Sequence, residues 1–235
     1  MAVINNTFGF VFVHVPKSAG TSVTNVLSKL CTVLDIEIGG SAFGEAVQQA
    51  YFKRHGLSKH STAKEIRSVL GEPQWLRLTS FGVVRHPLGR LASAYRFLRK
   101  WDSPQNRLHA TVNEFKSFSQ FVASDLWTEG DGPDRMFRPQ VFWLADSTRD
   151  ELLVDHVCRV ESLDSDLHAL LKNLGIKNAH LPDVVPRLNT TDVDSESGVS
   201  GLTSGLLERV RARYARDFAM FGYSLPEPAD AHQDH

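Results

Sequence analysis

The chain has 235 residues, 42% of them hydrophobic, which is enough to bury one sizeable core and favours one large domain over two. Its 26 basic and 27 acidic residues give a formal net charge of -1, so no overall positive field attracts a polyanion such as nucleic acid, and an anion site has to be local. Cys31 and Cys158 lie outside any disulfide or zinc spacing, which favours a reducing compartment, and no apolar run approaches the roughly 18 residues needed to span a bilayer.

The first half of the chain alternates strand and helix patterns. An apolar, β-branched and aromatic run at residues 8–15 predicts a strand buried on both faces, and "TSFGVVR" at 79–85 predicts another. Helices are predicted at 20–34, at 43–54, within "HSTAKEIRSVLG" and from Pro87 onward. The third helix has sharp limits, because Thr62 and Glu65 have capping-box spacing and Gly71 is a typical helix stop.

The second half is less regular. Helices are predicted at about 114–125, 162–174 and 203–218 and a strand within 152–160, with loops at 128–140 and 182–201. A single domain over residues 1–225 is expected to end in a disordered tail, residues 226–235. This alternation favours an α/β fold with a mostly parallel central sheet flanked by helices, and such sheets bind ligands at the carboxyl ends of their strands.

The stretch "PKSAGTS", residues 16–22, joins the first of these strands to the first helix. Its backbone can turn closely at Ala19 and Gly20. It presents one lysine and three hydroxyls beside the amides of a helix N-terminus, namely Lys17, Ser18, Thr21 and Ser22. Amides and the helix dipole favour negative charge and the lysine neutralises it, so the loop predicts a phosphate site. A capped helix with a surface lysine is the alternative, since Ser and Thr are common near helix starts.

The spacing of this loop differs from that of a nucleoside triphosphate loop. Lys17 precedes Gly20, whereas the pattern G-x-x-x-x-G-K-[ST] places the lysine after the glycine. The first hypothesis is therefore that the loop binds a nucleotide with a single 5′-phosphate that is extended by another group. The second hypothesis is that the protein is a magnesium-dependent kinase or NTPase.

A further motif, "FGVVRHPLGRLASAYRF", occupies residues 81–97. Arg85 ends a predicted strand, where it can make a bidentate contact with a phosphate, and Ser93, about two turns into the next helix, can add a hydroxyl. The alternative is an arginine in a surface salt bridge and a serine that only packs.

Together "HVPKSAGTS" and "VVRHPLGRLASAY" resemble the 5′-phosphosulfate loop and the 3′-phosphate segment of PAPS-dependent sulfotransferases, in the branch that includes carbohydrate O-sulfotransferases and bacterial relatives. Weaker agreement in "FRPQVFWL", "VDHVCRVESLDSDL" and "YARDFAMFGY" extends the resemblance over residues 8–223. It implies a P-loop-like sulfotransferase fold and transfer of a sulfuryl group from 3′-phosphoadenosine 5′-phosphosulfate (PAPS) to an acceptor hydroxyl.

The resemblance also implies roles for individual residues. Lys17 would contact the leaving-side oxygen, and Arg85 and Ser93 would hold the 3′-phosphate. The residues that would hold the 5′-phosphate are Ser18, Ala19, Gly20, Thr21 and Ser22. Arg187 would belong to a loop that closes over the nucleotide, the competing interpretation being an incidental arginine on a surface loop. No metal is expected, because the lysine and the helix amides supply positive potential.

A general base has to remove the acceptor proton. His60 is the predicted base, because related sulfotransferases often carry a catalytic histidine ahead of the Arg85 strand. Lys17 is the other predicted catalytic residue. A solvated histidine in the basic run "KRHGLSKH" is the alternative. His14 is interpreted as a core residue beside the loop, and His86 replaces an acidic or amide residue that is usual in the family.

The acceptor is predicted to be a carbohydrate or glycoconjugate, with peptide tyrosine and small natural products still open. Golgi carbohydrate sulfotransferases usually begin with a membrane anchor that this sequence lacks, which favours a cytoplasmic enzyme. A kinase or NTPase, and a catalytically silent nucleotide-binding module, are the alternative functions.

Overall fold

The computed structural model describes residues 2–146, 148–176, 185 and 201–228, which alternate between strands and helices. Within these ranges the strands are β1 (Ala2–Asn5), β2 (Phe10–Val13), β3 (Ile36–Ile38), β4 (Thr79–Val84), β5 (Ala145–Asp146), β6 (Glu151–Leu152) and β7 (His156–Arg159). The α-helices are α1 (Gly20–Leu27), α2 (Ala42–His55), α3 (Ala63–Leu70), α4 (Glu72–Trp75), α5 (Pro87–Lys100), α6 (His109–Glu114), α7 (Phe118–Ala123), α8 (Val141–Leu144), α9 (Leu163–Asn173), α10 (Ser204–Arg213) and α11 (Ala215–Phe221).

Five of these strands form a sheet in the order β3-β1-β2-β4-β7. β4 pairs in parallel with β2 on one side and with β7 on the other. β1 pairs antiparallel with both β2 and β3, so four strands of this sheet run one way and β1 runs against them. The mixed sheet with its helices confirms the predicted α/β class. Because neighbouring parallel strands end at the same edge, the residues that follow β2 and β4 begin side by side.

The chain divides into two compact units. The first comprises Met1–Arg85 and Gln140–Asn189, and the second comprises His86–Pro139 and Thr190–His235. The five-stranded sheet belongs to the first unit. The single domain over residues 1–225 stays a prediction, and the predicted tail lies largely beyond residue 228, where the described residues end.

In the first unit, helices cover both faces of the sheet. Phe10, Phe12 and Phe81 lie on one face, within a buried cluster that includes apolar side chains of α1 and α9. On the other face Gly82 lies against Leu144 of α8, and a Cβ added at Gly82 would be 2.5 Å from Leu144 Cδ2. Glycine on β4 therefore lets α8 pack directly against the strand that ends at Arg85.

The second unit is helical, with α5, α6, α7, α10 and α11 around an aromatic core. Trp127, Phe137 and Tyr214 are fully buried in it. Two of them satisfy their polar atoms locally: Tyr214 Oη donates to the Phe137 carbonyl (3.1 Å) and Trp127 Nε1 donates to the Val122 carbonyl (3.1 Å). Burial raises the pKa of Tyr214 to about 12, so its hydroxyl stays a neutral donor.

A search of the helices in the described ranges for a stretch with the length and apolar character of a membrane span finds none.

The helix after the first loop is shorter than predicted. α1 ends at Leu27, a 3-10 turn follows at Ser28–Leu30, and Leu34, which a helix over 20–34 would bury, is 70% exposed. Asp35 explains the early end. Its carboxylate accepts hydrogen bonds from the backbone amides of Thr32 (2.7 Å) and Thr7 (3.0 Å), which holds residues 32–35 in a turn.

Other elements also differ from the sequence-based expectations. β1 is not predicted, because its four residues are followed at once by a turn in which Gly9 has a φ of 73°. The helix expected at 114–125 is the shorter α7, because Ser117 caps it by accepting from the Gln120 amide (3.2 Å), and α6 already ends at Glu114. The helix expected at 203–218 is two helices, α10 and α11, which meet at Tyr214.

The capping box predicted for α3 is confirmed. Thr62 Oγ1 accepts from the Glu65 amide (3.1 Å), and Glu65 Oε2 accepts from the Thr62 amide (2.7 Å). Thr62→Ala is expected to lower the free energy of unfolding by about 1 kcal/mol. The matched control is Thr203, the N-cap residue of α10, whose side chain makes no capping hydrogen bond. Urea unfolding of both variants checks this, and equal losses for Thr62→Ala and Thr203→Ala would contradict it.

Candidate functional site

The loop between β2 and α1 has a strained backbone. Lys17 and Ala19 have φ angles of 67° and 55°, in the left-handed region that non-glycine residues seldom occupy. Such conformations cost on the order of 1–3 kcal/mol each and cluster at sites that bind ligands. Two within three residues therefore mark this loop as a candidate site on conformational grounds alone.

Helix α1 begins without a side-chain cap. Its N-cap residue is Ala19, which carries no acceptor, and its first turn contains no acidic residue. Ser, Thr, Asp or Asn is the usual solution at this position, because the first amides of a helix have no partner within the helix. The start of α1 is thus suited to an external anion, with the positive end of the helix dipole behind it.

The ring of His14 lies directly over the start of α1. A Cβ added at Gly20 would stand 2.5 Å from His14 Cε1 and closer still to Nε2, so position 20 has no room for a side chain. The sequence attributes Gly20 to the turn of the loop; the structure adds the close approach of His14 as a second reason. The glycine therefore keeps the imidazole of His14 against the backbone of the candidate site.

The side chain of His14 is half-buried. Burial is the main cause that lowers the pKa of His14 well below its usual range, and neighbouring basic groups, His60, Lys59 and Lys17 among them, lower it further. At neutral pH the ring of His14 is accordingly uncharged.

His60 lies beside His14, with ring centroids 4.5 Å apart. The Nδ1 atom of His60 is 3.4 Å from the carbonyl oxygen of His14, and with the proton on Nδ1 this contact is a hydrogen bond. Trp143 Nε1 donates to the carbonyl of His60 (3.0 Å). The predicted base is therefore next to the predicted donor loop and is anchored to α8.

Gln140 connects the loop to the end of β4. It is completely buried, and its Oε1 accepts from the Ser18 hydroxyl (3.1 Å) and from the Arg85 amide (2.9 Å). Its Nε2 donates to the Arg85 carbonyl (2.8 Å). One side chain thus holds residues that are 122 and 55 positions away in the chain.

The first unit brings most of the predicted site residues together. The loop residues 17–22, His60 and Arg85 all belong to it, whereas Ser93 lies on α5 of the second unit. Arg187 lies outside the described residues, and of the predicted closing loop at 182–201 only residues 185 and 201 are described. The hydroxyl of Ser18, 1% exposed, is directed inward to Gln140.

Sequence reasoning does not assign Gln140 or Trp143 to the site. The one available signal is a polar residue in "RPQVFWL" immediately before an apolar turn, which also suits an ordinary surface helix start. Complete burial of an amide side chain, which requires hydrogen-bond partners, cannot be read from that pattern.

In the second unit, the partly exposed side chain of His86 contacts residues near the end of the described range. Its Nε2 lies 2.8 Å from the Ser224 carbonyl, and its ring meets the rings of Phe218 and Tyr223 edge-on. Elsewhere in this unit a cavity of about 510 Å³ is lined by Gln105, Arg107, Leu108, Asp125, Leu126, Glu129, Gly130, Gly132 and Pro133.

These features define an α/β protein with a strained loop between a parallel strand and a helix that has no side-chain cap at its N-terminus. Residues 1–224 match the model of the sulfotransferase family, and the chain belongs to that family. Among curated proteins it is similar to carbohydrate sulfotransferase 12 of Xenopus laevis, with 25% identity over 256 residues. That alignment covers 96% of this chain and 60% of the relative, so the chain spans about three fifths of the protein it matches. No solved structure matches the chain significantly.

Proposed function

We propose that the protein is a PAPS-dependent sulfotransferase that transfers a sulfuryl group to a hydroxyl of a carbohydrate or glycoconjugate. The observation that carries the proposal is the bridge made by Gln140, which joins the strained loop through Ser18 to Arg85. Both segments that resemble the donor site of sulfotransferases are thereby held at one edge of the sheet. Family membership and the carbohydrate sulfotransferase relative support the same reaction.

The residues of the first unit fit the donor. The start of α1, which has no side-chain cap, would bind a 5′-phosphate through its backbone amides. The positive φ angles of Lys17 and Ala19 are typical of backbone concavities that bind anions, and Lys17 would supply a positive charge. Arg85 would hold the 3′-phosphate with its guanidinium group. When bound, PAPS supplies the sulfuryl group and a phosphate as leaving group; Lys17 and the amides of α1 would stabilise the charge that develops on that phosphate. The binding of the 3′-phosphate by Ser93 and the place of Arg187 in a closing loop stay predictions.

His60 would accept the acceptor proton at Nε2. With the Nδ1 proton directed at the His14 carbonyl, the lone pair of the ring resides on Nε2. The neutral ring of His14 beside it adds no positive charge that would hinder protonation of His60. Sulfuryl transfer without a metal, and a cytoplasmic location, remain predictions from the sequence.

Binding of adenosine 3′,5′-bisphosphate, the desulfated donor, tests the proposal. We expect calorimetric titration to show binding to the wild type that does not need magnesium. Arg85→Ala should weaken bisphosphate binding by about 10- to 100-fold, the value of a charge-assisted phosphate contact, but leave binding of adenosine 5′-monophosphate nearly unchanged. Lys17→Ala should weaken both ligands.

Two exposed residues of the same unit serve as matched controls, Arg77→Ala for Arg85 and Lys29→Ala for Lys17, and neither should change bisphosphate affinity. If ATP with magnesium binds and the bisphosphate does not, the protein is a nucleotide kinase or hydrolase and the proposal is wrong. If the bisphosphate binds but no acceptor is sulfated, the alternative of a silent binding module gains support.

A further inference from the structure

Gln140 is an unusual residue to find completely buried, because an amide side chain has to satisfy both an oxygen and a nitrogen away from water. Its hydrogen bonds meet that requirement. The oxygen accepts from a hydroxyl and from a backbone amide, and the nitrogen donates to a backbone carbonyl. The reversed orientation would set the NH₂ group against the Arg85 N–H, so these contacts fix the amide with its oxygen towards the Arg85 N–H and its nitrogen towards the Arg85 carbonyl.

The two hydrogen bonds to Arg85 occur where the strand ladder stops. β4 and β7 pair as far as Val84 with Arg159, and β2 and β4 pair as far as Val13 with Gly82. Arg85 is the next residue, and Gln140 bonds both its N–H and its C=O as a neighbouring strand would. The side chain of Gln140 therefore continues the hydrogen bonding of β4 by one residue beyond its end.

The same oxygen of Gln140 also accepts from Ser18, at the centre of the strained segment Lys17–Ala19. That bond ties the loop to the residue that follows β4. A shift of one phosphate-binding segment would thus be transmitted to the other through a single amide.

We infer that Gln140 is a positioning residue for the donor: it sets the distance between the loop that would hold the 5′-phosphate and Arg85, which would hold the 3′-phosphate. The inference rests on the proposed function. Gln140 itself need not touch the nucleotide. Its contribution lies in pre-organisation, since misplacing a binding group by about 1 Å can cost on the order of 100-fold.

The test uses Gln140→Met, which keeps a similar length and volume but cannot form the three hydrogen bonds. Calorimetric titration with adenosine 3′,5′-bisphosphate and with adenosine 5′-monophosphate is carried out on the wild type, Gln140→Met, Arg85→Ala and the double variant. We expect Gln140→Met to lower bisphosphate affinity by about 10- to 100-fold and to narrow the preference for the bisphosphate over the monophosphate. The double variant should lose much less affinity than the product of the two single fold-losses, because both substitutions act through Arg85.

The control is Gln74→Met, a glutamine of the same unit whose amide donates to Asn6 Oδ1 at the surface. It should bind the bisphosphate as the wild type does. Thermal unfolding without ligand shows whether each variant is folded. If Gln140→Met is not, Gln140→Glu replaces it, since a carboxylate oxygen facing the Arg85 carbonyl disturbs the same contact at constant volume.

Wild-type affinity in a folded Gln140 variant would overturn the inference and leave the proposed function intact. Fully independent losses in the double variant would do the same, because they would show that Gln140 does not act through Arg85. A wild-type protein that fails to bind the bisphosphate would overturn the proposed function and the inference with it.

Discussion

Replacing His60 by asparagine is expected to lower the rate of sulfuryl transfer by about 10²- to 10⁴-fold, the usual contribution of a general base. Asparagine can still direct an N–H at the His14 carbonyl, where His60 Nδ1 lies at 3.4 Å, but it has no nitrogen that accepts a proton at neutral pH. The measurement is transfer from PAPS to the fastest acceptor found in a panel of desulfated polysaccharides and simple glycosides. Affinity for adenosine 3′,5′-bisphosphate should stay within about twofold of the wild type, because His60 is not assigned to the donor.

The control is His55→Asn. His55 ends α2, is exposed and belongs to the same basic run, so its replacement should leave the rate unchanged. Equal rates for His60→Asn and the wild type would show that another group takes the proton. A loss of bisphosphate binding in His60→Asn would instead place His60 in the donor site.

Gly20→Ala is expected to have the largest effect on stability and on donor binding together. The new Cβ would overlap the ring of His14, and overpacking of this kind costs about 1–3 kcal/mol of unfolding free energy. Displacing His14 or the start of α1 should also weaken bisphosphate binding by about 10-fold or more. Urea unfolding and calorimetric titration measure the two effects.

A double variant separates this clash from a general loss of glycine. His14→Ala should remove most of the penalty of Gly20→Ala, so the two substitutions together cost less than their sum. Gly205→Ala is the matched control, because Gly205 lies in α10 and a Cβ there would meet no atom within 4 Å. If Gly20→Ala is as stable as Gly205→Ala, the close packing of His14 on α1 is not a constraint on this position.

The sequence predicts those elements of the fold that depend on residues close together in the chain. The capping box of α3, the start of α5 at Pro87 and the strand that ends before Arg85 are set by residues within a few positions of one another. The resemblance to sulfotransferases rests on two such local motifs, and the family match confirms it.

Features that depend on distant residues are not predictable in this way. α1 ends early because Asp35 binds the amides of a turn and of Thr7, 28 residues away in the chain. The contacts of Gln140 with Ser18 and Arg85 likewise follow from the approach of α8 to Gly82. The residues next to Gln140 in the sequence do not predict that approach. Burial of a polar side chain is a property of the completed core, so sequence patterns near Gln140 cannot reveal it.

The bridge made by Gln140 has a consequence for the order of folding. The segments that it joins are brought in from three remote parts of the chain, and contacts of such long range form only after the entropy of closing large loops has been overcome. During synthesis the loop between β2 and α1 and Arg85 would both have left the ribosome before residue 140 was added. Competence to hold a nucleotide should therefore be acquired late and in one step, when the last of the three segments docks.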